Sequence, residues 1–172
     1  MDTKRLYVDF HVLQTVPPSC VNRDDTGSPK TTVYGGAVRA RVSSQAWKHA
    51  MRQAFVEESL LDEEDVGKRT KKVTELVEKE IAALAPEKDA AKLAKKTLDN
   101  AGIKNDEKGT KALFFISQAQ IKALATLAVA DDIEDKKAYK EALQKALRKN
   151  PSVDIALFGR MVADDPSLNF DA

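Results

Sequence analysis

The spacing of apolar residues changes along the chain, and this change limits the possible folds more than any other feature. Near the N-terminus apolar residues recur at every second position, at Leu6, Val8, Phe10 and Val12. That period of two predicts a strand with one buried face. Farther on they follow a helical period, at Val73, Leu76, Val77, Ile81 and Leu84. We therefore expect an α+β protein in which a helical block is inserted.

The helical block divides at recognisable breaks. A charged helical region over residues 64–101 is interrupted near Pro86 and ends near Gly102. Farther along the chain we predict a polar turn over residues 102–109 and a buried strand over residues 112–117. Two helices over residues 118–130 and 133–149 and a short apolar strand over residues 153–161 follow. Ser117 is placed to cap the first of these two helices, because its hydroxyl can accept from a free amide of the first turn.

The segment between the first strand and the helical block is irregular. Residues 19–36 are rich in Ser, Asn, Asp, Thr, Gly and Pro and predict a long loop, followed by an extended segment over residues 38–42. Ser43 or Ser44 can cap the next helix. The apolar residues of that helix recur at helical spacing and predict a core stripe, formed by Trp47, Ala50, Met51, Ala54 and Phe55.

The composition argues against several classes of protein. The only cysteine, Cys20, permits no internal disulfide and favours a reducing compartment. The two histidines, His11 and His49, give no zinc-binding pattern. The N-terminal residues lack the apolar run of a signal peptide, and the apolar-rich stretch 119–130 is too short to span a bilayer. We expect a soluble cytoplasmic protein without a membrane partner or a cofactor.

Positive charge is concentrated in the first third of the chain. The whole chain has 28 basic and 27 acidic residues, whereas residues 1–56 hold eight cations and four anions, a net of +4 (8 − 4). Six of these cations lie close together, at Arg23, Lys30, Arg39, Arg41, Lys48 and Arg52. Such side chains bind phosphate by charge, and Ser43, Ser44 and Gln45 at a helix start add neutral donors. From spacing alone, a nucleic-acid interface and a solvated helix face beside a loop are about equally supported.

Other candidate sites have weaker support. The stretches "GSPK" and "YGG" match neither nucleotide-binding fingerprint and favour turn glycines. The pair Asp24 and Asp25 could hold Mg²⁺ or act in acid–base catalysis, but no third carboxylate or histidine lies near it in sequence. A role in the loop turn or in pairing with arginine is therefore favoured. Met161 could wedge between bases if it is exposed, although methionine is more often a core residue.

Three long segments and one shorter match carry a family resemblance. The segments "HVLQTVPPSCVNRDDTGSPKTTVYGG", "RARVSSQAWKHAMR" and "VDIALFGRM" resemble the CasC family, and "TKALFFISQAQIKALA" is similar to it as well. CasC is the backbone subunit of Cascade, the type I-E CRISPR surveillance complex, and belongs to the Cas-seven superfamily. The resemblance covers both ends of the chain, whereas residues 57–108 carry little of it.

The resemblance implies a hand-shaped fold and a binding function. Residues 1–56 and 153–172 would form part of a modified RRM-like (ferredoxin-like) palm, and residues 57–152 would form helical fingers. Copies would assemble head to tail along a guide RNA (crRNA) beside other Cascade subunits, and the guide would pair with target DNA. The resemblance implies no catalysis, cofactor or metal. It carries RNA contacts over to Arg23, Lys30, Ser43, Gln45, Lys48, Arg52, Arg160 and Met161, the last two near a kink in the guide.

Members of that family continue beyond the segment that matches "VDIALFGRM". The chain is therefore expected to be an N-terminal portion with an incomplete palm: a fragment, a truncated gene product or half of a split protein. Two other functions remain open. Related type III backbone subunits cleave target RNA with an aspartate in a loop like that of Asp24 and Asp25, which would make the chain a metal-dependent nuclease. The chain could also be a helical interaction module that does not bind RNA.

Overall fold

The structure is a computed structural model that describes residue 8 and residues 14–106, 109–130, 135–162 and 165–171. It divides the chain into two compact units, Met1–Trp47 and Lys48–Ala172, called here the first and second units. The strand predicted around Leu6, Phe10 and Val12 lies outside the described residues, apart from exposed Val8. The division into palm and fingers remains a prediction.

The first unit contains a hairpin where the sequence predicted the end of a long loop. Strands β1 (Thr31–Tyr34) and β2 (Ala37–Ala40) pair antiparallel, with Val33 opposite Val38. The loop prediction is wrong here because β-branched residues favour a strand and because Gly35 and Gly36 form a two-residue turn. Their φ angles of +60° and +74° are the positive values that a type I′ turn requires. The extended segment predicted from residue 38 is confirmed as β2.

Helix α1 (Ser44–Glu57) begins at the predicted position. The Ser43 hydroxyl accepts a hydrogen bond from the Ala46 amide at 3.3 Å, which confirms the cap. The predicted core stripe is wrong for Trp47 and Met51, whose side chains are 57% and 41% exposed, and no residue of α1 is buried. Within the second unit it is instead Arg52 and Phe55 that α1 directs toward other aromatic rings.

Two helices form the first part of the second unit. α2 (Val73–Leu84) and α3 (Ala90–Ala101) are separated at Pro86, and α3 ends at Gly102, whose φ is +91°. Both breaks were predicted from the sequence. The apolar stripe of α2 is confirmed at Val73, Val77 and Ile81, which are fully buried, whereas Leu84 is exposed.

Short strands connect these helices to the next pair. β3 (Lys68–Thr70) pairs antiparallel with β6 (Phe114–Ile116), and β4 (Asn105–Asp106) pairs with β5 (Gly109–Thr110) inside the predicted polar turn. β6 is the predicted buried strand. Ser117 then caps α4 (Gln118–Val129) in a capping box with Gln120, and α5 (Lys136–Arg148) follows. The predicted cap and both helices are confirmed.

The strand predicted over residues 153–161 is wrong. Residues Val153–Phe158 form a short helix, α6, which is followed by a 3₁₀ helix at Pro166–Leu168. A helix is favoured because Asp154 in its first turn accepts a hydrogen bond from the Ile155 amide at 3.0 Å. Only Arg160 forms a bridge, with Phe170.

The apolar core of the second unit lies between α2, α3, α4 and α5. Its largest fully buried members include Ile81, Leu98, Leu124, Leu143 and Leu147. Burying each such side chain contributes about 1.5–3 kcal/mol. The described residues therefore form an α+β structure of six α-helices and three two-stranded sheets. Among the helices of the described ranges, none combines the length and apolar character that crossing a bilayer requires.

Candidate nucleic-acid interface

The loop that contains Asp24 is held in one shape by its own hydrogen bonds. Asp24 Oδ1 accepts from the Thr26 amide at 2.9 Å, the Thr26 hydroxyl at 2.7 Å and the Ser28 amide at 3.0 Å. The hydrogen bond from the Thr26 hydroxyl is the main reason that the pKa of Asp24 lies below its usual 3.8. Arg23 closes the same loop, because its Nη1 donates to the Gly27 carbonyl at 2.9 Å. Asp24 thus has the loop-turn role that the sequence favoured.

Asn22 joins this loop to the rest of the first unit. Its backbone carbonyl accepts from the Lys30 amide at 2.8 Å, and its side-chain Oδ1 accepts from the Ser43 amide at 2.9 Å. The Lys30 carbonyl in turn accepts from the Arg41 amide at 2.9 Å. Asn22 therefore fixes the base of the hairpin and the start of α1. Sequence reasoning did not single it out, although Asn in a loop commonly bonds to the backbone in this way.

The cations of the first unit are presented to solvent. Arg23, Arg39 and Arg41 are exposed and Lys30 is half-buried. Within the described residues none of the four lies within salt-bridge distance of a carboxylate. The sequence from residue 26 to residue 56 contains no Asp or Glu at all. The hairpin therefore carries exposed arginines without a salt bridge among the described residues, while Lys30 lies close enough to Asp24 to help lower the pKa of that carboxyl. Exposed cations of this kind attract polyanions.

The two neutral candidates at the start of α1 differ in exposure. Ser43 is buried and its hydroxyl accepts the capping hydrogen bond, so it acts first as a structural residue. Gln45 is exposed in the first turn of the helix. Free amides of a first turn favour anions, and Gln45 can add its side-chain donor to them.

Lys48 and Arg52 are half-buried and contact other residues of the second unit. Lys48 Nζ donates to the Phe158 carbonyl at 3.3 Å. The Arg52 guanidinium lies 5.0 Å from the ring centroids of both Phe115 and Phe158, and its Nε is 3.4 Å from Asp154 Oδ2. The alternative of a solvated helix face does not describe these two residues, because aromatic rings and a buried carboxylate of the second unit lie on this side of α1.

Asp154 is the centre of this cluster and is fully buried. Its Oδ1 accepts from the Ser152 hydroxyl at 2.6 Å, the Gly67 amide at 2.9 Å and the Ile155 amide at 3.0 Å. A Cβ on Gly67 would come within 2.6 Å of the Ser152 hydroxyl oxygen, so only glycine fits there. Sequence reasoning missed Asp154 because it predicted a strand. Ser152 and Asp154 after Pro151 are a helix-start signal that could have revealed it.

Arg160 is buried in a hydrogen-bond network, whereas Met161 beside it is 85% exposed. The Arg160 guanidinium donates to three carbonyl oxygens and to Gln120 Oε1. The carbonyls belong to Phe115, Leu147 and Leu168. Burial lowers the pKa of Arg160 to about 10 by desolvating the cation, which still leaves it charged at neutral pH.

No group of three or more His, Cys, Asp or Glu residues that could hold a metal ion occurs in the described part of the chain. The Cys20 thiol is free and exposed.

A family model matches nearly the whole chain. The model for the CT1975-like protein family covers residues 8–172, and the chain therefore belongs to that family. No curated protein matches the chain significantly.

Chains of solved CRISPR complexes resemble this chain over most of its length. One, from a structure described as "CRISPR RNA-guided surveillance complex", is 32% identical over 92% of this chain and 53% of its own length, with a TM-score of 0.54. Another, from a "CRISPR RNA-guided surveillance complex, pre-nicking", is 30% identical over 88% of this chain and 46% of its own, with a TM-score of 0.51. The chain thus spans about half the length of these relatives and is similar to subunits of CRISPR surveillance complexes.

Proposed function

We propose that this chain is a non-catalytic backbone subunit of a CRISPR surveillance complex, which binds the phosphate backbone of the guide RNA. The observation that carries the proposal is the 32% identity to a chain of an RNA-guided complex over 92% of this chain. The exposed cations of the first unit supply a physical reason, because Arg and Lys side chains hold phosphate irrespective of base sequence.

The finer parts of the proposal rest on the sequence motifs. We propose that the chain is a type I-E (CasC-like) subunit, that it contains part of an RRM-like palm, and that it is cytoplasmic. We also propose that it assembles with further copies and other Cascade subunits along the guide. Target DNA would be read by base pairing with the guide, while the protein holds backbone and shape. The alternative of a helical module without RNA binding is opposed by the exposed arginines of the hairpin, which lie in a stretch, residues 26–56, without Asp or Glu.

The guide contacts are divided between residues according to their exposure. The backbone contacts of the first unit are made by Arg23, Lys30, Arg39, Arg41 and Gln45, and exposed Met161 remains suited to a kink in the guide. Ser43 contributes through the helix start that it caps.

The cations of the second unit fit the proposal less directly. Lys48, Arg52 and Arg160 would have to exchange hydrogen bonds or ring contacts within the second unit for a phosphate. We propose that these three residues stabilise the second unit.

The test uses the purified full chain and a labelled single-stranded RNA. We expect binding that is indifferent to base sequence and weakens steeply with salt. Removing two hairpin cations, with Arg39→Gln and Arg41→Gln, should lower the log–log salt slope by about 2 and weaken binding roughly tenfold. The matched control, Lys95→Gln with Lys96→Gln, removes the same charge from the exposed side of α3 and should leave binding unchanged.

Two results would contradict the proposal. Salt-insensitive or strongly sequence-selective binding would exclude a backbone contact. Cleavage of the RNA on adding Mg²⁺ would make the chain a nuclease and overturn the non-catalytic assignment. The contacts of Asp24 argue against metal-dependent cleavage, because its Oδ1 already accepts three hydrogen bonds from its own loop.

A further inference from the structure

The β1–β2 hairpin has two chemically different faces. Residues opposite each other in an antiparallel pair share a face, as do alternate residues of one strand. One face is apolar and consists of Thr31, Val33, Val38 and Ala40. The other combines an aromatic ring and a cation and consists of Thr32, Tyr34, Ala37 and Arg39. All eight residues are exposed.

Tyr34 stands at the tip of the second face with its side chain 73% exposed. Within the described residues it makes no ring stacking or cation–ring contact. Arg39 is bent toward it, since Arg39 Nε donates to the Tyr34 carbonyl at 3.0 Å. That bond uses Nε alone and leaves the Nη1 and Nη2 groups for another acceptor. The next residues, Gly35 and Gly36, add no side chain that would shield the ring.

An exposed aromatic ring beside an arginine, on a strand without acidic residues, is suited to single-stranded nucleic acid. The ring offers a face on which any base can stack, and the guanidinium offers donors to the adjoining phosphate. The carboxylates of an acidic protein partner would use the cation but would not stack on the ring. We infer that the Tyr34 ring stacks on an unpaired base of the guide RNA while Arg39 holds the neighbouring phosphate. This inference rests on the proposed function and adds a base contact to it.

The experiment compares variants of the full chain that differ in the ring alone. Tyr34→Val removes the ring but keeps a residue that favours strands, so the hairpin is retained. Tyr34→Phe keeps the ring, and Val33→Ala is the matched control, because Val33 is equally exposed (71%) on the opposite face. Each is titrated with a single-stranded RNA and with the same RNA carrying abasic sites, after circular dichroism has verified folding.

We expect Tyr34→Val to weaken binding to intact RNA by about 5- to 100-fold, the usual effect of losing one stacked base. Tyr34→Phe and Val33→Ala should bind within about twofold of the unaltered chain. The salt slope should not change, because no charge has been removed. On abasic RNA the effect of Tyr34→Val should vanish.

The outcomes separate this inference from the proposed function. If the unaltered chain binds RNA and Tyr34→Val binds equally well, stacking is wrong while backbone binding stands. A loss that persists on abasic RNA, or that Val33→Ala reproduces, would also overturn stacking, because it would reflect the hairpin and not the ring. Failure of the unaltered chain to bind either RNA would overturn both.

Discussion

Cations serve different purposes in the two units of this chain. In the first unit, Arg39 and Arg41 are exposed and no carboxylate lies beside them within the described residues. In the second unit, Arg52 lies between two aromatic rings next to a buried carboxylate, and Arg160 is buried among carbonyl oxygens. The same residue type is thus exposed in one unit and makes interior contacts in the other.

The difference teaches that a basic stretch in a sequence does not by itself locate a binding face. Arg160 becomes part of the interior because buried carbonyls and the Gln120 side chain accept most of its donors, whereas Arg23 and Arg39 each donate to a local carbonyl and stay exposed. The remaining donors of these exposed arginines are open to solvent. The variants below test this division, beginning with the residue on which the interior of the second unit depends most.

Replacing Asp154 with alanine should have the largest effect on stability. The change leaves the Gly67 amide, the Ile155 amide and the Ser152 hydroxyl without their acceptor, and it removes the ion-pair partner of Arg52. Removing one partner of a buried ion pair lowers the free energy of unfolding by about 4 kcal/mol. Urea unfolding followed by circular dichroism measures this, with Glu63→Gln, an exposed charge change, as the control. A loss below about 1 kcal/mol would show that the pair does not hold the second unit.

Arg160→Met should come next, with a loss of about 3 kcal/mol, because it leaves buried carbonyls of Phe115, Leu147 and Leu168 without donors. The neighbouring Met161→Ala should change stability by less than about 0.5 kcal/mol, since its side chain is exposed. Thermal melts of the two variants compare adjacent residues directly. Equal losses would contradict the assignment of Arg160 to the interior.

The elements that the sequence predicted well are those with local signals. α2 to α5 were found from apolar period, and their ends from Pro86, Gly102 and Ser117, because caps and breakers act within one turn. α6 was missed because six residues are too few to reveal a period, and because Asp154 bonds to Gly67, which is 87 residues away. Strand β3 was also missed, because it forms by pairing with β6, which lies far away in the sequence.

The candidate site was predicted as a set of cations but not by the direction in which each side chain points. Lys48 points inward because it reaches the Phe158 carbonyl, which lies 110 residues farther along the chain. A helical wheel holds no information about such a partner. The cations of the hairpin remained exposed because their neighbours in sequence are also their neighbours in space. Local sequence was therefore a better guide to the first unit's surface than to the second unit's interior.

Arg52→Ala should lower the free energy of unfolding by about 2 kcal/mol, less than Asp154→Ala. Asp154 keeps three hydrogen-bond donors when Arg52 is removed, and the guanidinium is itself partly exposed. The control Gln53→Ala alters an exposed neighbour on the same helix. Denaturant midpoints measure both variants. If Arg52→Ala leaves stability unchanged while weakening RNA binding, Arg52 belongs to the binding surface. The assignment of Arg52 to the interior of the second unit would then be wrong.

The smallest effect is expected at Asp24, in a hydrogen-bonded loop of the first unit. Because hydrogen bonds, chiefly from the Thr26 hydroxyl, lower the pKa of Asp24 in the folded chain, its carboxylate stabilises the loop at pH values above 3.8. That contribution is lost as the pH falls through the lower folded pKa, when the carboxyl takes up a proton. Carbon-detected titration of the Asp24 carboxyl should give a midpoint below 3.8, and Asp24→Asn should abolish the accompanying shifts of the Thr26 and Ser28 amides. A midpoint at or above 3.8 would mean that the loop does not stabilise the ionised Asp24 carboxylate. The hydrogen bonds to Asp24 would then not stabilise the loop conformation in which Arg23 donates to the Gly27 carbonyl.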